Sequence, residues 1–481
     1  MGNSGILMHI SSLPSPYGIG NLGEEAFEFV DFLKKTGQEY WQILPQNPTG
    51  FGDSPYQSSS AFAGNPYFVD IDTLVDEGLL EKEEVDNYFF GDNPEKIDYE
   101  KLFFYRYPLL RCAFFRFEAD AEYEKFVSEN AFWLDEYALF MALKEQNHYQ
   151  SWLEWDEKLK NRDKELLDEL KEDLKNIIDF YKFIQFKFFE QWYRLKKYAN
   201  SKGIKIIGDM PIYVAMDSAE TWAERELFQI DENNNPKRVS CLPPDDLFKA
   251  GQVWGNPIYN WDKMRDHDYK WWINRFRLAE KMYDMIRIDH FCGFFEYYSV
   301  DNSAHDAKNF LCHKGPGNDF FDKVKGNLKI GVIAENLGVE SPKADMAVEK
   351  YGFLGMNILQ LSVDYKNKKI KEPKRDVAYT GNHDNDTISG WFESLSENRK
   401  RLVRKIFGIG RFDDVNKALI SAVMKSDAPI KIIPIQDYLG MGSEGRMNIP
   451  ATVGGNWLFR VKKEDLNDEL AEKIKKLCIS N

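Results

Sequence analysis

The stretch Met285–His290, MIRIDH, decides the fold. Apolar Met285, Ile286 and Ile288 mark a short buried β-strand, and Arg287 and Asp289, two residues apart, point to one face of it. Taken alone, an Arg and an Asp in a buried strand read as a structural ion pair. Two further strand-like runs end in the same way. Gly331–Asn336 (GVIAEN) delivers Glu335, and Asp376–Asp384 (DVAYTGNHD) delivers His383 and Asp384. Three carboxylates at the C-terminal ends of separate predicted strands are what the active face of a β/α barrel carries. Cleavage of a sugar acetal uses such acids, two as partners and often a third in support.

Outward from this stretch, strands and helices alternate. Strand-like runs fall at Gly5–Pro14, Glu39–Pro45, Gly203–Val214, Met285–Phe291, Lys329–Leu337, Gly355–Leu361, Val377–His383 and Pro429–Gln436. Helical periodicity separates them at Gly23–Thr36, Asp262–Tyr283, Ala304–Lys325, Ser341–Tyr351, Ser389–Phe407 and Asp414–Lys425, with a last helix at Glu464–Leu477. Eight such β units predict an α/β fold, a (β/α)8 TIM barrel. Helices dominate between the second and third strands, at Tyr99–Phe117, Ala121–Asn130, Trp133–Glu145 and Lys164–Ala199. The expected organisation is therefore a first part of the barrel over residues 1–70, a helical insertion over 71–201 and the rest of the barrel over 202–481. A smaller loop and hairpin insertion is expected at about 217–262, after the third strand.

Composition narrows the function. The chain has 481 residues, 43% of them hydrophobic, enough for a large core. Its net charge of −15, from 63 basic and 78 acidic residues, speaks against a nucleic-acid partner. Five cysteines without CxxC spacing suit reduced thiols better than a disulfide framework. The N-terminal MGNSGILMHISS has no basic region, and Ile6 stands where a myristoylation pattern needs Ser or Thr. No window approaches a membrane span. These features predict a soluble cytoplasmic protein; oligomeric state is not legible. Gly18–Gly23 spells GxGxxG, but Pro14 and Pro16 separate it from its strand, unlike a dinucleotide turn. Asp231, Asn233 and Asn235 have the opening spacing of a calcium loop, but Pro236 and Leu242 stand where Gly and Glu are needed. His383 has no second His or Cys at zinc-ligand spacing. Neither cofactor nor metal is expected.

The chain resembles the 4-α-glucanotransferases (amylomaltase or disproportionating enzyme), glycoside hydrolase family 77 of the α-amylase clan. The resemblance rests on GILMHISSLPSPYGIGNLG, WQILPQNPTGFGDSPYQSSSAFAGNP, GDMPIYVAMDSAETW, QVWGNPIYNW, MIRIDHFCGF, VIAENLG, YTGNHDNDT and EGRMNIPAT, in the family's order over nearly the whole length. It implies Asp289 as nucleophile, Glu335 as general acid/base and Asp384 as transition-state stabiliser with His383 beside it. Asp209 and Arg287 match positions that bind the central sugar and orient the nucleophile, and Tyr56 a residue that stacks on the reacting sugar. Ser54, Gln252, Trp254, His290, Asn336 and Asn448 match positions lining the subsites. The implied substrates are malto-oligosaccharides and α-1,4-glucans. The residues themselves leave transfer, amylase-like hydrolysis and non-catalytic glucan binding open; the resemblance favours transfer.

Three departures from the family stand out: Asn336 in place of Asp, Asp246-Leu247-Phe248 in place of Tyr-Phe-Ser, and Ala451 where Gly is common. The loss of an aromatic pair at 246 and 247 predicts more leakage to water. Retaining chemistry also predicts opposite protonation of its two acids. Arg287 is expected to keep Asp289 charged, and the apolar run Val332–Ala334 to keep Glu335 protonated.

Overall fold

A computed structural model of the chain describes residues 3–245, 248–326, 328–338 and 341–479. Eight parallel strands form one sheet: β1 (Ser4–Leu7), β2 (Tyr40–Gln42), β3 (Lys205–Met210), β4 (Met285–Ile288), β5 (Gly331–Ala334), β6 (Gly355–Ile358), β7 (Asp376–Tyr379) and β8 (Ile430–Pro434). β1 pairs with both β2 and β8, so first and last strands are neighbours. The ring closes between β5 and β6 through a single parallel bridge, Ile333 to Leu354. Ala334 N donates to Leu354 O at 2.7 Å and Leu354 N to Val332 O at 3.0 Å. This is the (β/α)8 barrel that the alternation predicted.

The strands are short and apolar because both their faces are covered. Ile206, Ile207, Ile286, Ile288, Ile333, Val377, Ile432 and Ile433 are wholly buried. Helix Glu24–Lys35 shows how the outer layer attaches. Ala26, Phe29, Val30 and Leu33 recur at helical spacing and form its buried stripe, while Glu24 and Glu25 sit in its first turn and Lys34 and Lys35 in its last.

The helices between β2 and β3 differ in detail from expectation. Ala121–Gln146 is one continuous helix rather than two. The expected helix Lys164–Ala199 divides at Leu174 into Lys164–Asp173 and Lys175–Ser201. Glu220 ties helix Ala219–Ala223, which follows β3, to the loop after β2 by accepting from Ser60 Oγ and Ala61 N at 2.8 and 2.9 Å.

A second sheet of four antiparallel strands packs beside the barrel mouth, in the order Gln252–Pro257, Val239–Leu242, Glu296–Val300, Leu311–Lys314. It corrects two expectations. The hairpin expected within 217–262, pairing Leu227–Asp231 with Lys237–Cys241, shrinks to a bridge between Ile230 and Pro236, and Val239–Leu242 finds its partners elsewhere. The expected helix Ala304–Lys325 is helical only over Asn318–Lys325, because Leu311–Lys314 pairs with Glu296–Val300.

Candidate active site

Register places the central charges. Asp209 on β3 lies opposite Arg287 on β4, and Ile288 opposite Ala334 on β5. Asp289 and Glu335 therefore each stand one residue past the end of their strand, on adjacent strands and at one level. Asp289 N donates to Met210 O and Glu335 N to Ile288 O, both at 3.0 Å, continuing the ladder past the strands' ends.

Arg287 is the hub. Its side chain is 1% exposed and its Nη1 donates to both oxygens of Asp209 at 2.8 Å and to Asp289 Oδ1 at 3.1 Å. Its Nη2 lies 2.8 Å from Glu335 Oε2, a charge contact without hydrogen-bond alignment. Glu335 Oε2 also accepts from the backbone N–H of His290 at 2.8 Å. His290 adopts a left-handed conformation, φ 43° and ψ 51°. Tyr56 completes the far side: its hydroxyl donates to Asp209 Oδ2 at 2.8 Å. Burial, reinforced by Asp209, keeps that phenol protonated.

The third acid arrives on a loop. β7 stops at Tyr379, four residues before His383, so the expected strand to His383 is too long. Gly381–Thr387 replaces ladder pairing by local bonds: Asn382 Oδ1 accepts from Asp384 N at 2.9 Å, and Asn385 Oδ1 from Asn382 N at 3.0 Å. Asp384 Oδ1 accepts from Asn448 Nδ2 at 2.7 Å, and His383 Nε2 lies 3.3 Å from Oδ2. Burial alone would raise the Asp384 pKa, but His383 and Asn448, helped by Arg287, hold it well below the usual carboxylate range.

The other two acids titrate against expectation. Burial and the adjoining Glu335 push Asp289 well up. Burial would raise Glu335 too, but Arg287 and the His290 N–H outweigh it and hold Glu335 low. The expectation gave Arg287 to Asp289 alone; in the folded barrel its fork also reaches Glu335, across the strand pair. The neighbouring Glu335 charge adds to burial in raising Asp289, while Arg287 favours the ionised form of Glu335, so the two carboxyls titrate as a pair.

Aromatic rings wall the site. Tyr56 stacks on His383 with centroids 5.0 Å apart, and Trp457 leans on both at 5.8 Å. Trp254 meets the His290 ring edge to face at 4.9 Å, and its Nε1 donates to Gln252 Oε1 at 3.2 Å. Ser54 Oγ accepts from Tyr56 N at 3.2 Å and so fixes the Tyr56 turn. Asn336 is placed differently. Its side chain donates to Asp345 at 2.9 Å and accepts from Met356 N at 3.1 Å, tying β5 to β6 and to helix Pro342–Tyr351.

Two residues were missed by sequence reading. Trp457 follows Gly454 and Gly455, and its own φ of 64° turns it toward Tyr56 and His383. Arg446 donates to Asp384 O at 2.7 Å and Asn448 O at 2.8 Å, linking the two loops. For Arg446 the available signal is EGRMNIPAT, in which it stands two residues before Asn448; Trp457 lies beyond that motif. Asp246 and Leu247, on which the leakage expectation falls, lie outside the described residues. Among the described residues no cluster of His, Cys, Asp and Glu is arranged to hold a metal ion, and no helix is long and apolar enough to cross a membrane.

Residues 8–466 match the 4-alpha-glucanotransferase family as a whole. The chain belongs to the 4-alpha-glucanotransferase family. Within it, a 4-alpha-glucanotransferase of Clostridium butyricum is 43% identical over 479 residues, covering 98% of each chain. The amylomaltase of Streptococcus agalactiae, solved in complex with acarbose, superposes with a TM-score of 0.95 at 39% identity, covering 100% of this chain and 99% of that one. A trehalose-6-phosphate hydrolase of Bacillus licheniformis, at 12% identity and a TM-score of 0.51, covering 99% of this chain and 82% of that one, shares the barrel fold.

Proposed function

We propose that this chain transfers α-1,4-glucan segments from a donor malto-oligosaccharide to the 4-hydroxyl of an acceptor glucan or glucose. One observation carries this reading within the family: a single buried guanidinium, Arg287, gathers Asp209, Asp289 and Glu335 at the barrel mouth, with Asp384 opposite. Asp289 attacks the anomeric carbon as the glycosidic C–O bond breaks, forming a glycosyl-enzyme. Glu335 gives its proton to the departing sugar oxygen, then takes one from the acceptor hydroxyl as that hydroxyl displaces Asp289. The stereochemistry at the anomeric carbon is retained.

Burial and Glu335 raise Asp289 while Arg287 holds Glu335 low in the unliganded site, so substrate binding must exchange these preferences. A glycosidic oxygen seated beside Glu335 and a sugar ring over Asp289 would favour that exchange, because each acid then meets the group it reacts with. Asp384, kept ionised, offers hydrogen bonds to sugar hydroxyls that strengthen as positive charge develops on the ring. Tyr56, His383 and Trp457 provide an apolar face for that ring, and Asp209, His290, Gln252, Trp254, Ser54 and Asn448 border it. Asn336 acts from behind by holding the end of β5. No cofactor is required, since the two acids supply both protons and nucleophile. The acidic chain with no disulfide framework is assigned to the cytoplasm.

The test is incubation with maltotriose and separation of the products. Transfer yields glucose together with glucans longer than the substrate. A shift to shorter sugars only would mean hydrolysis, and unchanged maltotriose would mean binding without catalysis; either overturns the proposal.

A further inference from the structure

The loop that delivers Asp384 is closed at its base by a carboxylate that does not itself approach the site. Asp437 lies in the helical turn Ile435–Leu439, immediately after β8, and is 1% exposed. Its Oδ2 accepts from Thr380 Oγ1 at 2.5 Å and its Oδ1 from Ile388 N at 2.8 Å. Thr380 is the first residue beyond β7, and Ile388 opens helix Ile388–Ser394. One side chain thus grips both ends of Gly381–Thr387, the segment holding His383 and Asp384. Both gripped residues are wholly buried, so water cannot replace the lost acceptor.

The rest of the loop hangs on this closure. Asp386 accepts from Thr387 N at 2.8 Å and Ser443 Oγ at 2.7 Å, and its carbonyl accepts from Gln360 Nε2 at 2.7 Å. Those bonds fix the loop's flank, while Asn382 and Asn385 brace its turn. None of them sets how far apart the loop's ends stand. Asp437 does, and that separation sets the direction in which Asp384 projects.

We propose that Asp437 is a positioning residue for glucan transfer, holding the Asp384 loop in its working shape through Thr380 and Ile388. The proposal rests on Asp384 being the transition-state stabiliser. Such a residue acts on the rate of the chemical step more than on binding of the glucan, because Asp384 bears on charge that appears only in the transition state.

Burial, with Asp386 adding to it against Thr380 and Ile388, raises the Asp437 pKa to about 6. The surrounding groups are Asp386 on the loop, Tyr438 beside it in the turn, Cys478 near Tyr438 and Lys473, whose amine donates to Tyr438 O at 3.0 Å. Once protonated, Asp437 presents a hydroxyl from which Thr380 Oγ1 can accept while its other oxygen still accepts from Ile388 N, so both grips survive in neutral form.

The experiment compares Asp437→Ala, Asp437→Asn and Asp384→Asn on maltotriose. Asp437→Ala is expected to lower kcat about 10²-fold, the scale of a small misplacement of a catalytic group, with KM within about threefold of the parent. Asp437→Asn keeps an oxygen for Ile388 N and presents an amide N–H to Thr380 Oγ1, so it should restore most of kcat at pH 7. Where Asp437→Ala fails to fold, Thr380→Val, which removes one grip, should lower kcat about tenfold at unchanged KM. Full kcat in Asp437→Ala or Thr380→Val, or an Asp437→Asn variant no better than the alanine, overturns the proposal. Activity persisting in Asp384→Asn would instead remove the assignment of Asp384 on which it rests.

Discussion

His290 donates its backbone N–H to Oε2 of Glu335 at 2.8 Å, joining the ends of β4 and β5. The bond exists because His290 turns into the left-handed region directly after Asp289. A non-glycine residue costs about 1–2 kcal/mol in that conformation. The cost is borne at the site itself, where it aims a fixed donor at one oxygen of Glu335.

Glu335→Gln follows from this relationship. The amide can still accept from His290 N but has no proton to give. Turnover of maltotriose should fall by about 10²-fold or more. A donor with a good leaving group should recover part of the first step. Steady-state kinetics on both substrates checks this, and near-normal maltotriose turnover would remove Glu335 from its role.

Asp289→Asn should stabilise the protein while inactivating it. The Asp289 pKa is raised by burial and by Glu335. A raised carboxyl favours folding fully only below the unfolded value, and that contribution is lost as pH rises through the folded value. At pH 8 the parent therefore carries a penalty that the asparagine variant lacks. Melting temperatures should differ in favour of Asp289→Asn at pH 8, and the gap should narrow toward pH 4. A variant that melts below the parent at pH 8 contradicts the electrostatic account.

Arg287→Met should be severely destabilising. It leaves Asp209, whose side chain is fully buried, and the Asp289–Glu335 pair without their common cation. Removing one partner of such a buried set typically costs about 3–5 kcal/mol. Urea unfolding of the parent and variant measures it, and a loss under about 1 kcal/mol would show that the carboxyls simply neutralise themselves.

Ala451→Gly should raise stability. Ala451 has φ 61°, so the position that is commonly glycine in the family carries a side chain in left-handed backbone here. Relief of that strain, offset by the freer unfolded chain, is of the order of 1 kcal/mol. Thermal unfolding should show a small upward shift with no change in turnover; a downward shift would mean that the loop around Ala451 has no strain to release.

What the sequence disclosed follows from what each signal depends on. MIRIDH, GVIAEN and DVAY are read correctly as barrel strands because two-sided burial leaves its mark in the residues themselves. Asp289 and Glu335 fall at strand ends by simple counting. Leu311–Lys314 was missed as a strand because its only reason to be extended is Glu296–Val300, a partner outside any local window. The opposite shifts of the acid pair escape a local reading for a similar reason. Arg287 is two residues from Asp289 along the chain, but its reach to Glu335 exists only once β4 and β5 lie side by side. Trp457 joins Tyr56 through a backbone turn that no hydrophobic pattern announces.

The ring of strands is sewn most lightly where Ile333 meets Leu354. In hydrogen exchange, the amides of Ala334 and Leu354 should therefore open before those along β3 and β4, which pair at four positions. A fluctuation that begins there loosens the seam between β5 and β6 while β5 stays paired with β4 at four positions, so Arg287 keeps its hold on both Asp209 and Glu335.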